Sequence, residues 1–321
     1  MPLATDVKSV VGDLPFMTLG RAEIMTKLIH EYQLRDVLEL GFCHGVSTCY
    51  IAAALEERGE GHIVTIDRAS RLLNSPSLET LLDRLSLRDR ATIFYEYDSY
   101  NWRLYHFLTG DPRPEFDLIY LDGAHTWNAD GFAFLLAERL LAPGGLIVFD
   151  DLHWSFASSD STRARTMAMP ADEREVEQVK LVFDTLVKPH PNIAECWEDG
   201  TWGFARKQGT LTRSDDARSQ ALATIAGQAA EVRERAEAGV WSNQWEYAAW
   251  PESLLPVIDT ADRDKLREAR RLVEKLKRDR AWLEGKRDEL TGLVDKLKQD
   301  RAVLEARLDA RLEPDAARPD S

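Results

Sequence analysis

The chain has 321 residues, 44% of them hydrophobic and 30% charged, with a formal charge of -14 at pH 7. That is more chain than one ordinary α/β domain requires, so a further segment is expected. Asp262 to Leu312 holds 16 Lys+Arg against 12 Asp+Glu, which makes that stretch +4 and the remainder -18. A body that acidic argues against a nucleic-acid substrate. Cys43, Cys49 and Cys196 offer neither paired metal spacing nor a disulfide framework, which fits a reducing cytoplasm. The first twenty residues lack a basic segment followed by an apolar core, and no run approaches 18 apolar residues, so neither a signal peptide nor a membrane span is expected.

In chain order, Ile24, Met25, Leu28 and Ile29 form one face of a helix from Arg21 to Tyr32 within an N-terminal helical segment, 1–34. Asp36 to Leu40 is the first strand; it runs into Gly41-Phe-Cys-His-Gly45 and a helix beginning with Cys49-Tyr50-Ile51. Glycines at a strand-to-helix turn let backbone approach a ligand, and the helix start offers unpaired N–H groups. The spacing is neither the dinucleotide fingerprint nor a phosphate loop. The second strand, His62 to Ile66, ends in Asp67, a carboxylate placed to accept from two ribose hydroxyls. A helix from Leu78 to Leu85 and a third strand from Ala91 to Tyr95 follow, with Asp98 and Ser99 just beyond.

Phe116 to Leu121 and Leu146 to Phe149 are short apolar runs of the kind that form buried parallel strands. Between them Phe132, Leu135, Leu136, Leu140 and Leu141 recur at helical spacing, and Pro143-Gly144-Gly145 is expected to stop that helix. Asp122 ends the first strand, and Asp150 with Asp151 ends the second. Ligands of open α/β sheets bind beyond the carboxyl ends of the strands, so these acids are expected to share one crevice. Leu152 to Glu173 reads as a long loop over it. Val176 to Val187 reads as a helix, and Asp199-Gly200 as the turn of a hairpin between Ile193–Glu198 and Thr201–Arg206.

Residues 20 to 207 together resemble the class I S-adenosylmethionine-dependent methyltransferases, whose seven-stranded Rossmann-like sheet ends in an antiparallel hairpin. The run from Glu39 to Gly45 is similar to that family's first motif, with Cys43 where a middle glycine is usual. The resemblance implies cofactor contacts at Glu39, Gly41, Gly45, Asp67, Asp98, Ser99 and Asp122. Gly41 and Gly45 would approach the methionine part, Asp67 the ribose, and Asp98 with Ser99 the adenine. Asp122-Gly-Ala-His125 with Asp150-Asp151 further resembles the metal-dependent O-methyltransferases acting on small molecules, especially sugar hydroxyls. The catechol branch has Asn after its acidic pair; here Leu152 follows Asp151.

Elementary chemistry leads to the same site. Three converging carboxylates (Asp122, Asp150 and Asp151) repel one another, and Mg²⁺ relieves this with oxygen ligands at about 2.0–2.1 Å. The sulfonium methyl is already activated, so the protein has mainly to align a hydroxyl and remove its proton. His125, with a reference pKa of roughly 6.5, is the base expected to act beside Asp122. Trp127, Trp154, Trp197 and Trp202 read as core or rim packing. The expectation is a cytoplasmic, Mg²⁺-assisted O-methyltransferase of a sugar, glycan or other small molecule, its catalytic domain spanning 35–208. A different nucleotide-binding enzyme on this fold, or a scaffold with a vestigial enzyme domain, are the other readings.

The remainder reads as a helical linker, 209–260, with an aromatic patch at Trp241, Trp245, Tyr247 and Trp250. In 261–312, Ala269, Leu276, Leu283, Leu290, Leu297 and Leu304 recur every seven residues, and LVEKLKRDRAWLE from Leu272 returns as LVDKLKQDRAVLE from Leu293. That is a coiled-coil pattern. Arg280, Arg287 and Arg301 at its other seam position favour a two-stranded coil, hence a homodimer. A disordered tail, 313–321, is expected to close the chain.

Overall fold

The structure, a computed structural model, describes residues 4–158, 169–212 and 214–237. The chain divides into two compact units, Met1–Trp245 and Glu246–Ser321, and every described residue belongs to the first. The expected coiled coil, the tail and the aromatic patch lie outside the described residues. No helix among the described residues is long and apolar enough to cross a membrane.

The core is a seven-stranded sheet: β1 (Asp36–Leu40), β2 (His62–Arg68), β3 (Ala91–Glu96), β4 (Phe116–Leu121), β5 (Leu141–Phe149), β6 (Ile193–Asp199) and β7 (Trp202–Lys207). Their order is β3-β2-β1-β4-β5-β7-β6, parallel except for β7, which runs antiparallel to both its neighbours. The chain therefore reverses direction between β1 and β4, and the carboxyl ends of these two strands flank a crevice.

Alternate residues feed the two faces. Val37, Ile63, Leu118 and Val148 pack with α1 (Ala4–Val11), α2 (Leu19–Glu31), α3 (Val46–Arg58) and α4 (Leu78–Arg84). Leu38, Val64, Ile119 and Phe149 pack with α5 (Tyr100–Thr109), α6 (Trp127–Ala137), α7 (Gln178–Val182) and α8 (Asp215–Glu237). The pleat's period of two sends neighbouring side chains to opposite sides.

One local feature departs from the sequence expectation. Pro143-Gly144-Gly145 does not stop the helix. α6 ends earlier, and β5 begins at Leu141 and carries these three residues through an irregular register opposite β4, with Gly144 at φ +79°. The expected helical linker, 209–260, is helical where it is described: Asp215–Glu237 forms α8, which lies against the edge strand β3. Its Ala221, Ile225, Ala229 and Val232 are buried there. Arg218 donates to Asp36 at 2.8 and 2.9 Å, Arg35 donates to Asp215 at 2.7 Å, and Arg233 pairs with Glu79, so both ends of α8 are tied to the sheet unit.

Glu39 shows how the first strand and its helix are joined. Its carboxylate is fully buried and accepts from Ser47 Oγ and Thr48 Oγ1 at 2.5 Å and from Thr65 Oγ1 at 2.6 Å, which fastens α3 and β2 to β1. Burial outweighs those three hydroxyls and raises its pKa from 4.5 to about 6. The folded state thus keeps a proton that the unfolded state loses, and this contribution, full below pH 4.5, is lost as pH rises through 6. His62 acts in the opposite sense: burial and nearby Arg218 lower its pKa from 6.5 to about 4, so its contribution grows with pH over that range. Glu39→Gln removes one of these opposed slopes. Denaturation at pH 4.5 and at pH 6.5 should show the variant's stability, relative to wild type, improving by about 1.5 kcal/mol at the higher pH. Parallel pH profiles for the two proteins would refute the assignment.

Candidate active site

A cleft of about 1570 Å³ opens at the carboxyl edge of the sheet. Gly41, Asp67, Asp98, Ser99, Asp122, His125, Asp150 and Asp151, all singled out from sequence, line it; Glu39 and Gly45 do not. Glu39 is saturated by hydroxyls below the turn, as described above. Gly45 starts α3 at φ +81°, a left-handed conformation that favours glycine, and a Cβ there would also meet Leu78. Gly41 combines φ +95° with a backbone so close to β4 that a Cβ would overlap the Asp122 carbonyl.

Asp67, at the end of β2, accepts from the amides of Phe42 and Cys43 at 3.1 and 2.7 Å, and from Arg71 Nε at 3.3 Å. It therefore fixes the glycine turn, with Cys43 held at φ +46°. Ser99, not Asp98, caps α5 by accepting from Asn101 N at 3.1 Å; Asp98 is exposed.

At the acidic end two of the three expected metal residues, Asp122 and Asp151, come together with His125. Asp150 is almost fully buried and committed: Arg21 Nη1 donates to both its oxygens at 2.9 and 3.1 Å, Tyr120 Oη donates at 2.5 Å, and the Asp151 amide at 2.6 Å. The group that converges consists of Asp122, His125 and Asp151, whose ligand atoms all lie within 4.8 Å of one another. His125 Nε2 is 3.9 Å from Asp122 Oδ1 and 3.9 Å from Asp151 Oδ2. Burial, reinforced by Asp150 and Asp151, raises the Asp122 pKa well above the carboxylate range; burial and then Asp151 raise that of Asp150.

Several residues that build this end carry no sequence signal. Arg21 arrives from α2, 129 positions before Asp150; its guanidinium also bonds Thr201 and lies 5.7 Å from the centre of the Trp202 ring. Asp130 is fully buried on α6. It accepts from Ala124 N at 3.2 Å and Thr126 N at 3.1 Å, and from the Tyr100 hydroxyl, which itself accepts from Ala124 N at 3.1 Å. The residue between those two amides is His125, at φ +55°. Asp130 and Tyr100 thereby hold the loop at His125 in a backbone conformation that L residues avoid. Their closeness leaves no room for a Cβ on Gly123. A spacing argument could have flagged Asp130 only as a helix first-turn acid. Of the tryptophans, Trp202 is core, Trp197 stacks on Phe204 at 5.0 Å, and Trp154 borders the cleft with its ring 5.1 Å from His125.

A family model described as "Methyltransferase domain" matches residues 38–152, the stretch from β1 to the acidic end of β5. The matched stretch covers about a third of the chain. Solved structures similar to it include the O-methyltransferase from Bacillus cereus in complex with SAH, at 19% identity and TM-score 0.47 over 64% of this chain and 90% of that one. The O-methyltransferase TomG from Streptomyces achromogenes, involved in tomaymycin synthesis and in complex with SAM, matches at 18% and 0.47 over 64% and 89%. A SAH-bound methyltransferase from Podospora anserina matches at 16% and 0.49 over 66% and 89%. No curated protein matches the chain.

The loop at His125 gives a direct test. Asp130→Asn leaves the side-chain size unchanged but replaces a carboxylate shared by two amides and a hydroxyl, and it should lower stability by about 1–3 kcal/mol. Hydrogen exchange should quicken at Ala124 and Thr126 beyond what that global loss accounts for. Unchanged protection of those two amides would show that Asp130 does not hold the loop.

Proposed function

We propose that this protein transfers the methyl group of S-adenosylmethionine to a hydroxyl oxygen of a small molecule or glycan, with a divalent cation such as Mg²⁺ held by Asp122 and Asp151 beside His125. The observation that carries the reading is the convergence of those three side chains on the cleft bordered by the Gly41 turn. The donor set fits a hard cation: the ligand atoms of Asp122, His125 and Asp151 lie within 4.8 Å of one another, close to the roughly 4.2 Å that separates opposite ligands held at about 2.1 Å from one ion. A bound cation would offset the repulsion of the acids and lower the pKa of an alcohol beside it.

The chain's own residues supply the rest. Gly41 lets the turn approach the methionine part of the donor, while Asp67, Asp98 and Ser99 line the cleft where the ribose and adenine would lie. The acceptor oxygen attacks the methyl carbon as the carbon–sulfur bond breaks, and sulfur leaves as a neutral thioether. The hydroxyl proton passes to His125 Nε2, where the resulting imidazolium is stabilised between two carboxylates. A second reading, favoured by the same convergence, makes His125 the third ligand. Arg21, Tyr120 and the Asp151 amide hold Asp150 behind the site in either case.

Calorimetry should show wild-type protein binding S-adenosylhomocysteine, with Asp67→Ala weaker by about 1.5–3 kcal/mol. No heat with the wild type would sink the methyl-transfer reading. A chelator should abolish turnover and spare that binding, and Mg²⁺ should restore it; full activity in excess EDTA would return the acids to structural roles. His125→Ala separates the two histidine assignments. A base loses roughly 10² to 10⁴ in kcat with Mn²⁺ affinity intact, whereas a ligand loses the Mn²⁺ affinity itself.

Assembly as a dimer through 261–312 is part of the same proposal. Because α8 is packed on β3, the informative truncation ends at Glu237 and not at the end of β7. Light scattering should give a dimer for the full chain and a monomer for residues 1–237. A monomeric full chain would overturn the assignment.

A further inference from the structure

α8 lies outside the stretch 38–152 that the family model matches, yet its contacts lead to the glycine turn of the cleft. Near its C-terminal end Arg233 Nη1 donates to Glu79 Oε1, a residue 154 positions away in the chain. The Tyr95 hydroxyl donates to the same oxygen at 2.8 Å, and the Arg233 guanidinium lies 6.0 Å from the centre of the Tyr95 ring. Arg233, Glu79 and Tyr95 therefore form one cluster, and none of the three lines the cleft.

The far side of that cluster is the turn itself. Tyr95 stands opposite Asp67 in the β2–β3 ladder, and its ring meets that of Phe42 edge-on, at 5.7 Å and 83°. Phe42 lines the cleft and gives its amide to Asp67 at 3.1 Å, while its carbonyl accepts from Gly45 N at 2.5 Å. Leu78, the neighbour of Glu79 on α4, lies against Gly45 where it would meet a Cβ. One end of the turn thus rests on Tyr95 and the other on the start of α4. Glu79 bonds the first and belongs to the second. α4 has only seven residues, too few to be stable from its own hydrogen bonds, so its position is set by what grips it. A carboxylate as buried as that of Glu79 is costly without a cation, and Arg233 supplies one.

We propose that Arg233 is a positioning residue for the methyl donor: through Glu79 it holds Tyr95 and the start of α4 against the glycine turn, so that α8 tunes the affinity of the cleft for S-adenosylmethionine. This inference rests on the methyl-transfer reading and adds to it a residue outside the cleft.

The test is calorimetry of S-adenosylhomocysteine with the full chain, at a temperature where every variant is folded. Under that condition a residue that only stabilises the fold leaves the dissociation constant unchanged. Arg233→Met should weaken binding by about threefold to tenfold and Arg233→Lys by less than about twofold. The Arg233 side chain is 37% exposed, one turn from the end of α8, so folding should survive its loss. Glu79→Gln keeps the side chain's size and should reproduce the loss seen with Arg233→Met. The two substitutions together should weaken binding no further than either alone, because both cut the same link. Hydrogen exchange at the Phe42 and Cys43 amides should quicken in Arg233→Met, with Ala124 and Thr126 unchanged. A lowered thermal midpoint with unchanged S-adenosylhomocysteine affinity would reduce Arg233 to a tie between two helices and overturn the proposal. So would additive losses in the double variant. A wild-type protein that binds no S-adenosylhomocysteine removes the methyl-transfer reading, and this inference with it.

Discussion

The structure turns on the crowding of carboxylates at and below the carboxyl edge of a parallel sheet. Burying an ionised acid is costly unless hydrogen bonds or cations compensate it. Glu39 has three hydroxyls; Asp67 has two turn amides and Arg71; Asp130 has two loop amides and Tyr100; Asp150 has Arg21, Tyr120 and the amide of Asp151. Asp122 and Asp151 have looser company among the described residues, with His125 Nε2 at 3.9 Å from each and Arg21 Nη2 at 3.8 Å from Asp151. The compensated acids build the site. The two that are under-compensated are the ones with capacity left for a ligand, which is the physical basis for placing a cation there.

Much of this fold was legible because parallel strands advertise themselves. DVLEL and FDLIYL match β1 and β4 at both ends, the Asp199-Gly200 turn falls where the hairpin turns, and the acids that close β2, β4 and β5 all reach the cleft. Legibility fails where a residue's meaning comes from a distant partner. Arg21 is an ordinary helix residue until the fold sets it against Asp150 and Thr201, and Asp130 is an ordinary first-turn acid until the amides around His125 point at it. Glu39, expected among the cofactor contacts, is diverted by Ser47, Thr48 and Thr65, two of which lie within ten residues of it. The glycines of β5 misled for a different reason: Pro-Gly-Gly is a good helix stop, yet here it is an irregular strand entry, since α6 had already ended.

Backbone strain marks the same region. Of the six non-glycine residues with positive φ among those described, Phe16, Cys43, His125 and Asp151 border the cleft. Such conformations persist only where the surroundings over-determine them. For Cys43 and His125 the determining bonds are visible, from Asp67 and from Asp130. For Asp151 it is its own amide, donated to the preceding side chain.

That last bond explains why two adjacent aspartates have different fates. Along β5, Val148 faces the layer of α2 and α3 and Phe149 faces the layer of α5 and α6, so the next residue in the pleat returns to the first side. Asp150 follows this rule and meets Tyr120, Arg21 and Thr201-linked structure there, beside Trp202. Continued alternation would carry Asp151 to the α5 and α6 side. It leaves the strand at φ +55° instead, with its amide on Asp150 Oδ1, and its carboxylate comes to His125. An Asp-Asp pair at the end of a parallel strand is thus one structural acid and one available acid, with the first fixing the turn that aims the second.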